Sequence, residues 1–286
     1  MLFRYYFFKE ETRNYEVADL IKYFSQNSYF TIEDKNENEK IARYFNPVLN
    51  FSADFVIASK SIVPGIERLN PKYIDVNLRV EFQILSPDYD ANLIINICED
   101  ITKMFNFYVY NEVFEDVSPF KRLMMLKAFQ VVKRAYSKKY PLEMSKYYHL
   151  DRESLNRSYD YLQQVEILKD LLKEEEIRVP AITFYAVEGK RKVYTCVEIS
   201  RFEPFVFPAF VDIVHVDDGK MDMFISTEEF SSKTNKYFHP IESSLSNLFY
   251  VSYKEMKKVN KILTKANFSK LILELKQVNF KKVLDV

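Results

Sequence analysis

The stretch YIDVNLRVEFQILSPDYDANLIINICEDITKMFNFYVYN, residues 73–111, decides the fold. It opens with a strict alternation. Ile74, Val76, Leu78, Val80, Phe82 and Ile84 fall on one side, and Asp75, Asn77, Arg79, Glu81 and Gln83 on the other. Period two predicts a β-strand with one face on a core and the other in water. Ser86-Pro87-Asp88 then reads as a helix start. Ser86 is placed to cap, proline costs nothing at the first helical position, and Asp88 suits the positive end of the helix dipole. Ile94, Ile97, Cys98, Ile101, Met104 and Phe105 recur at helical spacing, so this helix packs on a sheet. Residues 107–110, FYVY, return as a short strand.

Upstream, residues 2–8 read as a strand, 15–24 as a short helix and 29–32 as a strand closed by a charged turn over 33–40. Residues 41–44 extend a hairpin and 51–58 form another strand. Pro64-Gly65 and Asn70-Pro71 mark a loop over 61–72. The order β-α-β-β-β-α-β predicts an α+β fold, with mostly antiparallel sheets and helices packed on one face.

Downstream, Ser118-Pro119 repeats the serine-proline start. The helix it opens runs to residue 138, with Met124, Ala128, Val131, Val132 and Ala135 as its apolar stripe, and Pro141 ends it. Residues 144–150 read as a loop. Two subdomains are expected: an N-terminal α+β subdomain, 1–143, ending in a basic helix, and a C-terminal one, 144–286, with two β-hairpins and a C-terminal helical segment. In the second, Asp151 caps a helix running to residue 175 on a stripe of Leu155, Leu162, Val165, Leu168 and Leu172. Hairpins follow around Glu188-Gly189-Lys190 and Asp217-Asp218-Gly219-Lys220, separated by an extended segment between Pro204 and Pro208. Ser252-Tyr-Lys-Glu255 is a capping box, and residues 270–277 read as a further helix.

Composition narrows the function classes. The 286 residues carry 41 basic and 41 acidic side chains, so no global charge draws the chain to nucleic acid or to an anionic membrane. Hydrophobic content of 48% and charged content of 29% are those of a soluble globular protein. No apolar run reaches membrane length, and the apolar amino terminus is interrupted by Arg4 and lacks a cleavage site. Cys98 and Cys196 sit in apolar runs and read as reduced core residues of a cytoplasmic protein. With three glycines, neither a P-loop nor a dinucleotide fingerprint is present.

Catalytic patterns are equally scarce. His149, His215 and His239 lack metal-ligand spacing, and no paired-cysteine, calcium-loop or nucleophile-elbow motif occurs. No cofactor or metal is expected. His215, beside Asp217 and Asp218, reads as a core or hairpin histidine. Asp75 and Glu81, sharing the polar side of the long strand with Arg79, are the one carboxylate set a hydrolase would use. The charge feature above background is the basic helix 119–139. Lys121, Arg122, Lys133, Arg134 and Lys138 are candidate contacts for a partner or a phosphate backbone. Lys127 and Lys139 add to it, and Tyr136 and Tyr140 close it. A second run, Lys254, Lys257, Lys258, Lys261, Lys265 and Lys270, is opposed only by Glu255.

The run RVEFQILSPDYD (79–90), an amphipathic helix and then FYVYNE (107–112) resembles the middle of an uncharacterised family of roughly 300-residue proteins from low-GC bacteria. The later order is similar: a strand pair, the aromatic-proline crossover at 204–207, a hairpin and the Ser-Tyr-Lys-Glu helix start. The likeness covers element order over two-thirds of the chain. The glycine-rich loop expected before the long strand is reduced here to Gly65. The family is a domain of unknown function, so the resemblance implies neither activity nor site residues. The sequence therefore leads to a cytoplasmic, non-enzymatic binding or assembly protein that recognises another macromolecule, foremost a protein. Nucleic-acid binding through the basic helix and a carboxylate-based hydrolase are the alternatives.

Overall fold

A computed structural model describes residues 1–269, 271 and 274–285. The chain divides into two compact units, Met1–Met144 and Ser145–Val286. The fold is α+β with mostly antiparallel sheets.

The first unit runs β1 (Leu2–Glu10), α1 (Val17–Ser25), β2 (Phe30–Asn36), β3 (Glu39–Asn46), β4 (Phe51–Ala58), β5 (Tyr73–Gln83), α2 (Asp88–Phe105), β6 (Tyr108–Tyr110), α3 (Arg122–Lys139) and α4 (Pro141–Met144). Its strands form one antiparallel sheet in the order β2-β3-β4-β5-β1-β6. Strands β2 to β5 make a meander, and α2 carries the chain from β5 past β1 to β6. The expected turn at 33–40 shrinks to Glu37-Asn38, because β2 continues through charged residues. As an edge strand it is exposed on both faces, and its charges deter pairing with another chain.

β1 carries aromatic residues on both sides, at Phe3, Tyr5, Tyr6, Phe7 and Phe8, because both its faces are covered there. Toward the helices, Phe3 meets Phe129 edge-on at 5.4 Å, and the Tyr5 hydroxyl donates to the Met125 carbonyl at 2.5 Å. On the other face, Tyr6 and Phe8 pack with Val63, Leu69, Tyr110 and Val117, a small second core supplied by the connecting segments.

This second core changes the expected picture of β5. Its polar side is only partly in water: Gln83 is exposed, but Arg79 is 6% exposed. It is held by charge pairing instead. Arg79 donates to Glu39 at 2.6 Å and to Glu81 at 2.8 Å, and Arg4 reaches the same Glu81 oxygen at 2.8 Å. The row continues across the sheet, where Glu81 pairs in register with Asp54 and Asp54 with Arg43, which hydrogen-bonds it at 2.8 Å. The alternation also breaks once. Val76, Asn77 and Leu78 stand opposite Phe7 alone, between the pairs Tyr6–Arg79 and Phe8–Asp75. Asn77 sits there at φ +57°, a conformation asparagine tolerates, and its amide donates to the Asp75 carboxylate at 2.8 Å. Below this bulge, Ile74 turns out to be 41% exposed.

α2 buries Ala91, Ile94, Ile95, Cys98, Ile101 and Thr102; the expected stripe is rotated, and Met104 faces outward. Ser86 does not cap. Pro87 holds the cap position and Ser86 is buried.

The second unit runs β7 (Tyr148–Leu150), α5 (Arg152–Leu171), β8 (Ile182–Val187), β9 (Val193–Ile199), β10 (Phe205–Pro208), β11 (Ile213–Asp217), β12 (Asp222–Ser226), α6 (Thr227–Thr234), β13 (His239–Pro240), β14 (Leu248–Val251), α7 (Tyr253–Lys265), β15 (Leu275–Val278) and β16 (Val283–Asp285). The main sheet has the order β12-β11-β9-β8-β15 and is antiparallel except for β9–β11. β10 leaves it to pair with β14 in a three-stranded sheet, and β16 runs parallel to β7. Both hairpins form, with Gly189 and Gly219 at positive φ in their turns. Asp151 caps α5 by accepting from the Ser154 amide at 2.9 Å.

Three expectations fail here. Residues 148–150 are a strand. The Ser252 capping box does not close, since Glu255 pairs with Lys258 at 3.0 Å. Instead of a helix over 270–277 there is β15, paired with β8 through Leu275–Val187 and Val278–Phe184; Lys270, Ile272 and Leu273 lie outside the described residues.

Two predictions follow from the charged row and the bulge. Burial pushes the Glu81 carboxyl up, but the guanidinium hydrogen bonds from Arg79 and Arg4 outweigh it and hold the group below its ordinary value. Arg79 and then Lys35 hold Glu39 low in the same way. A depressed carboxyl stabilises the fold above its unfolded titration, and that contribution fades as pH falls through the folded value. Urea unfolding of the full chain is therefore expected to weaken below about pH 4.3. Glu81→Gln should cost about 3 kcal/mol at pH 7 and flatten this acid limb; an unaltered limb would contradict the coupling. At the bulge, Asn77→Val should cost about 1–2 kcal/mol while Asn77→Gly stays near neutral.

Candidate partner-binding groove on α3

α3 begins later than its serine-proline signal. Ser118 is tied into a bridge with Val109, and the cap position falls on Lys121, whose side chain makes no capping bond. The helix is seated by Met125, Ala128 and Phe129, which are buried, so the expected stripe is only partly right. Ala128 is common to both descriptions. Val131, assigned to the core by spacing, is 57% exposed, and Ala135 is also exposed.

The displaced apolar residues gather elsewhere. Leu123, Met124, Ala128 and Val131 line an open cavity of about 740 Å³ together with Val113 and Phe114 from the segment before the helix. Leu123 is 72% exposed and Val113 45%. The remaining lining residues are Lys121, Arg122 and Lys127. Among the described residues no carboxylate lines the cavity. In the adjoining segment, Asp116 accepts from the Asn70 and Val117 amides, and the Glu112 charge acts on Arg4, Tyr6 and Tyr110. The result is an apolar trough with cations along its α3 edge, at the end of a helix whose dipole already adds positive potential.

The five candidate cations have different roles. Lys121 edges the cavity and makes no ion pair among the described residues. Arg122 also edges it, but its guanidinium is shared with α2 through Asn96, Asn92 at 3.2 Å and Glu99 at 4.0 Å. Lys133 is turned inward, where its ammonium lies 3.4 Å from Asp88, a 3%-exposed carboxylate that also accepts from Gln130 at 2.6 Å. It is a structural ion pair rather than a surface contact. Arg134 and Lys138 are exposed, beside Tyr136 and Tyr140, whose rings lie 4.6 Å apart. The structure thus brings Lys121, Arg122 and Lys127 to one trough and leaves Arg134 and Lys138 at the other end of the helix. Lys254, Lys257, Lys258, Lys261 and Lys265 lie on α7, in the second unit. Lys270 is outside the described residues.

The remaining candidates are occupied structurally. Glu81 serves Arg4 and Arg79. Burial raises the Asp75 carboxyl, while a hydrogen bond from Ser61 and the Asn77 amide oppose the shift. The cavity beside Asp75 measures about 10 Å³, room for a water and not for a substrate. His215 stacks on Phe224 at 4.1 Å, with Nε2 2.9 Å from Asp222 and Nδ1 3.9 Å from Glu198. Among the described residues no group of three His, Cys, Asp or Glu side chains is placed to hold a metal ion. Cys98 and Cys196 are free and buried; burial pushes the Cys98 thiol far up and that of Cys196 to about 12. No described helix is long and apolar enough to cross a membrane.

The division of labour on α3 is measurable. Lys133→Ala should destabilise the chain by about 1–3 kcal/mol, by leaving Asp88 buried with one donor fewer. Lys138→Ala should stay within about 0.5 kcal/mol. Equal effects in urea unfolding would refute the assignment.

Comparison with protein-family models, with curated proteins and with solved structures finds no match for this chain.

Proposed function

We propose that the chain is a non-enzymatic recognition protein that docks a protein partner in the trough between α3 and Val113–Phe114. The observation carrying this reading is the exposure of Leu123, Val131 and Val113 around a cavity of about 740 Å³. Apolar side chains gathered in a concavity and edged by polar groups are what a recognition surface requires. Burying an exposed leucine against a partner contributes about 1.5–3 kcal/mol, enough for two or three such residues to dominate a complex. Two buried free thiols agree with a reducing, cytoplasmic setting.

A second reading has one observation of its own. Arg134, Lys138 and Lys139 beside the Tyr136–Tyr140 pair combine charge and aromatic rings as single-stranded nucleic acid requires. With Lys133 turned inward, this end of the helix offers fewer phosphate contacts than its composition suggests.

The deciding experiment places a photo-cross-linking amino acid at Leu123 and purifies the protein from its own cell, with and without nuclease treatment. Cross-linking to a protein, unaffected by nuclease and reduced at least about tenfold by Val131→Asp, is the expected result. Recovery that depends on nucleic acid, and is lost on removing Arg134 and Lys138, would favour the second reading instead.

A further inference from the structure

Resting on the docking reading above, we infer that the trough takes an amphipathic α-helix of the partner that carries carboxylates beside its apolar anchors. Three observations lead there. First, the wall is helical in pitch: Leu123, Lys127 and Val131 follow one another at i, i+4 and i+8. At 1.5 Å per residue the two apolar positions are about 12 Å apart along the axis, close to the span of an i, i+7 pair on a second helix. Second, apart from α3 and its cap residue Lys121 the described lining residues are Val113 and Phe114, and Val113, Leu123 and Val131 are exposed, so the trough is open along α3 rather than closed around a small molecule. Third, every charged group in the lining is a cation, and Lys121 and Lys127 make no ion pair among the described residues. A helix bearing lysines beside its anchors would meet these charges unfavourably, whereas glutamate or aspartate complements them.

The balance of terms assigns each part a role. The anchors supply most of the affinity, because they leave water for an apolar wall. The flanking carboxylates choose the partner and speed encounter, because rim charges in high dielectric contribute little to stability but discriminate sign. The complex should therefore weaken with salt without being abolished by it.

The test is a display library of 18-residue helices with leucine fixed at i, i+4 and i+7, and the flanking positions randomised among Glu, Lys, Gln and Ser. It is selected on the full-length protein, on Leu123→Asp and on the double variant Lys121→Glu/Lys127→Glu. Each of these side chains is exposed, and circular dichroism confirms that the variants fold. On the wild type, Glu should exceed Lys at the flanks by at least about tenfold. The double variant should reverse that preference, and Leu123→Asp should abolish selection. Equal recovery of Glu and Lys, an unreversed preference, or binders indifferent to Leu123→Asp each overturn the inference. So does displacement of the selected helices by palmitate together with saturable palmitate binding, which would make the trough a site for an acyl carboxylate. If no helix is selected while the Leu123 cross-linker still captures a protein, this inference falls and the docking reading stands. If both are silent, both fall.

Discussion

The seating of α3 on β1 is the constraint from which the rest follows. Tyr5 is fully buried, and its hydroxyl has to find an acceptor or cost about 1–3 kcal/mol. It finds the Met125 carbonyl, while one turn further Phe129 closes against Phe3 and Phe82. These contacts fix the roll of the helix about its axis. Residues two apart on a helix lie about 200° from one another. With Met125 and Phe129 turned to the sheet, Leu123, Lys127 and Val131 are turned away from it.

The helix therefore has more apolar residues than its core can use. A stripe that served only to seat α3 would leave the outer face polar. Here the outward surplus is gathered in one cavity with Val113 and Phe114 rather than scattered, and of the cations beside it Lys121 and Lys127 make no ion pair among the described residues. Further along, Lys133 is spent on Asp88. One basic helix is thus divided into a seated side, an apolar trough with a cationic edge and a charged, tyrosine-bearing end, each with its own physical role.

The outer face of the first sheet shows the reverse economy. Groups that look chemical in the sequence are holding strands together. Arg4, Arg79, Glu39 and Glu81 satisfy one another, and for the largely buried Arg79 and Glu81 the cost of leaving water is offset only because each is paired and hydrogen-bonded. Asp75 and Asn77 shape the bulge that bends β5 beside the second core. A carboxylate raised by burial beside a cavity suggests catalysis, but the surrounding space and the donors already present give Asp75 a structural account.

Local chemistry was legible from residues alone. The strand over 73–83, the helix after Pro87, the Asp151 cap and the two glycine hairpins depend on neighbours in the chain, and each formed where its residues placed it, although the strand's alternation breaks at the Asn77 bulge. The weaker local signals were overridden: Ser86 and Ser252 do not cap, Ser118 joins a bridge, and 275–278 became a strand by pairing with β8. For the candidate site, residue order was enough to announce a basic, amphipathic helix, expected over 119–139 and formed over Arg122–Lys139. Packing set the rest: Lys133 points inward, Val131 points outward, and Val113 and Phe114 line the same cavity as Leu123. The reason is geometric: spacing defines which residues share a face, but which face is buried depends on β1 and β5, more than a hundred and more than forty residues away, and on a single tyrosine hydroxyl that needed an acceptor.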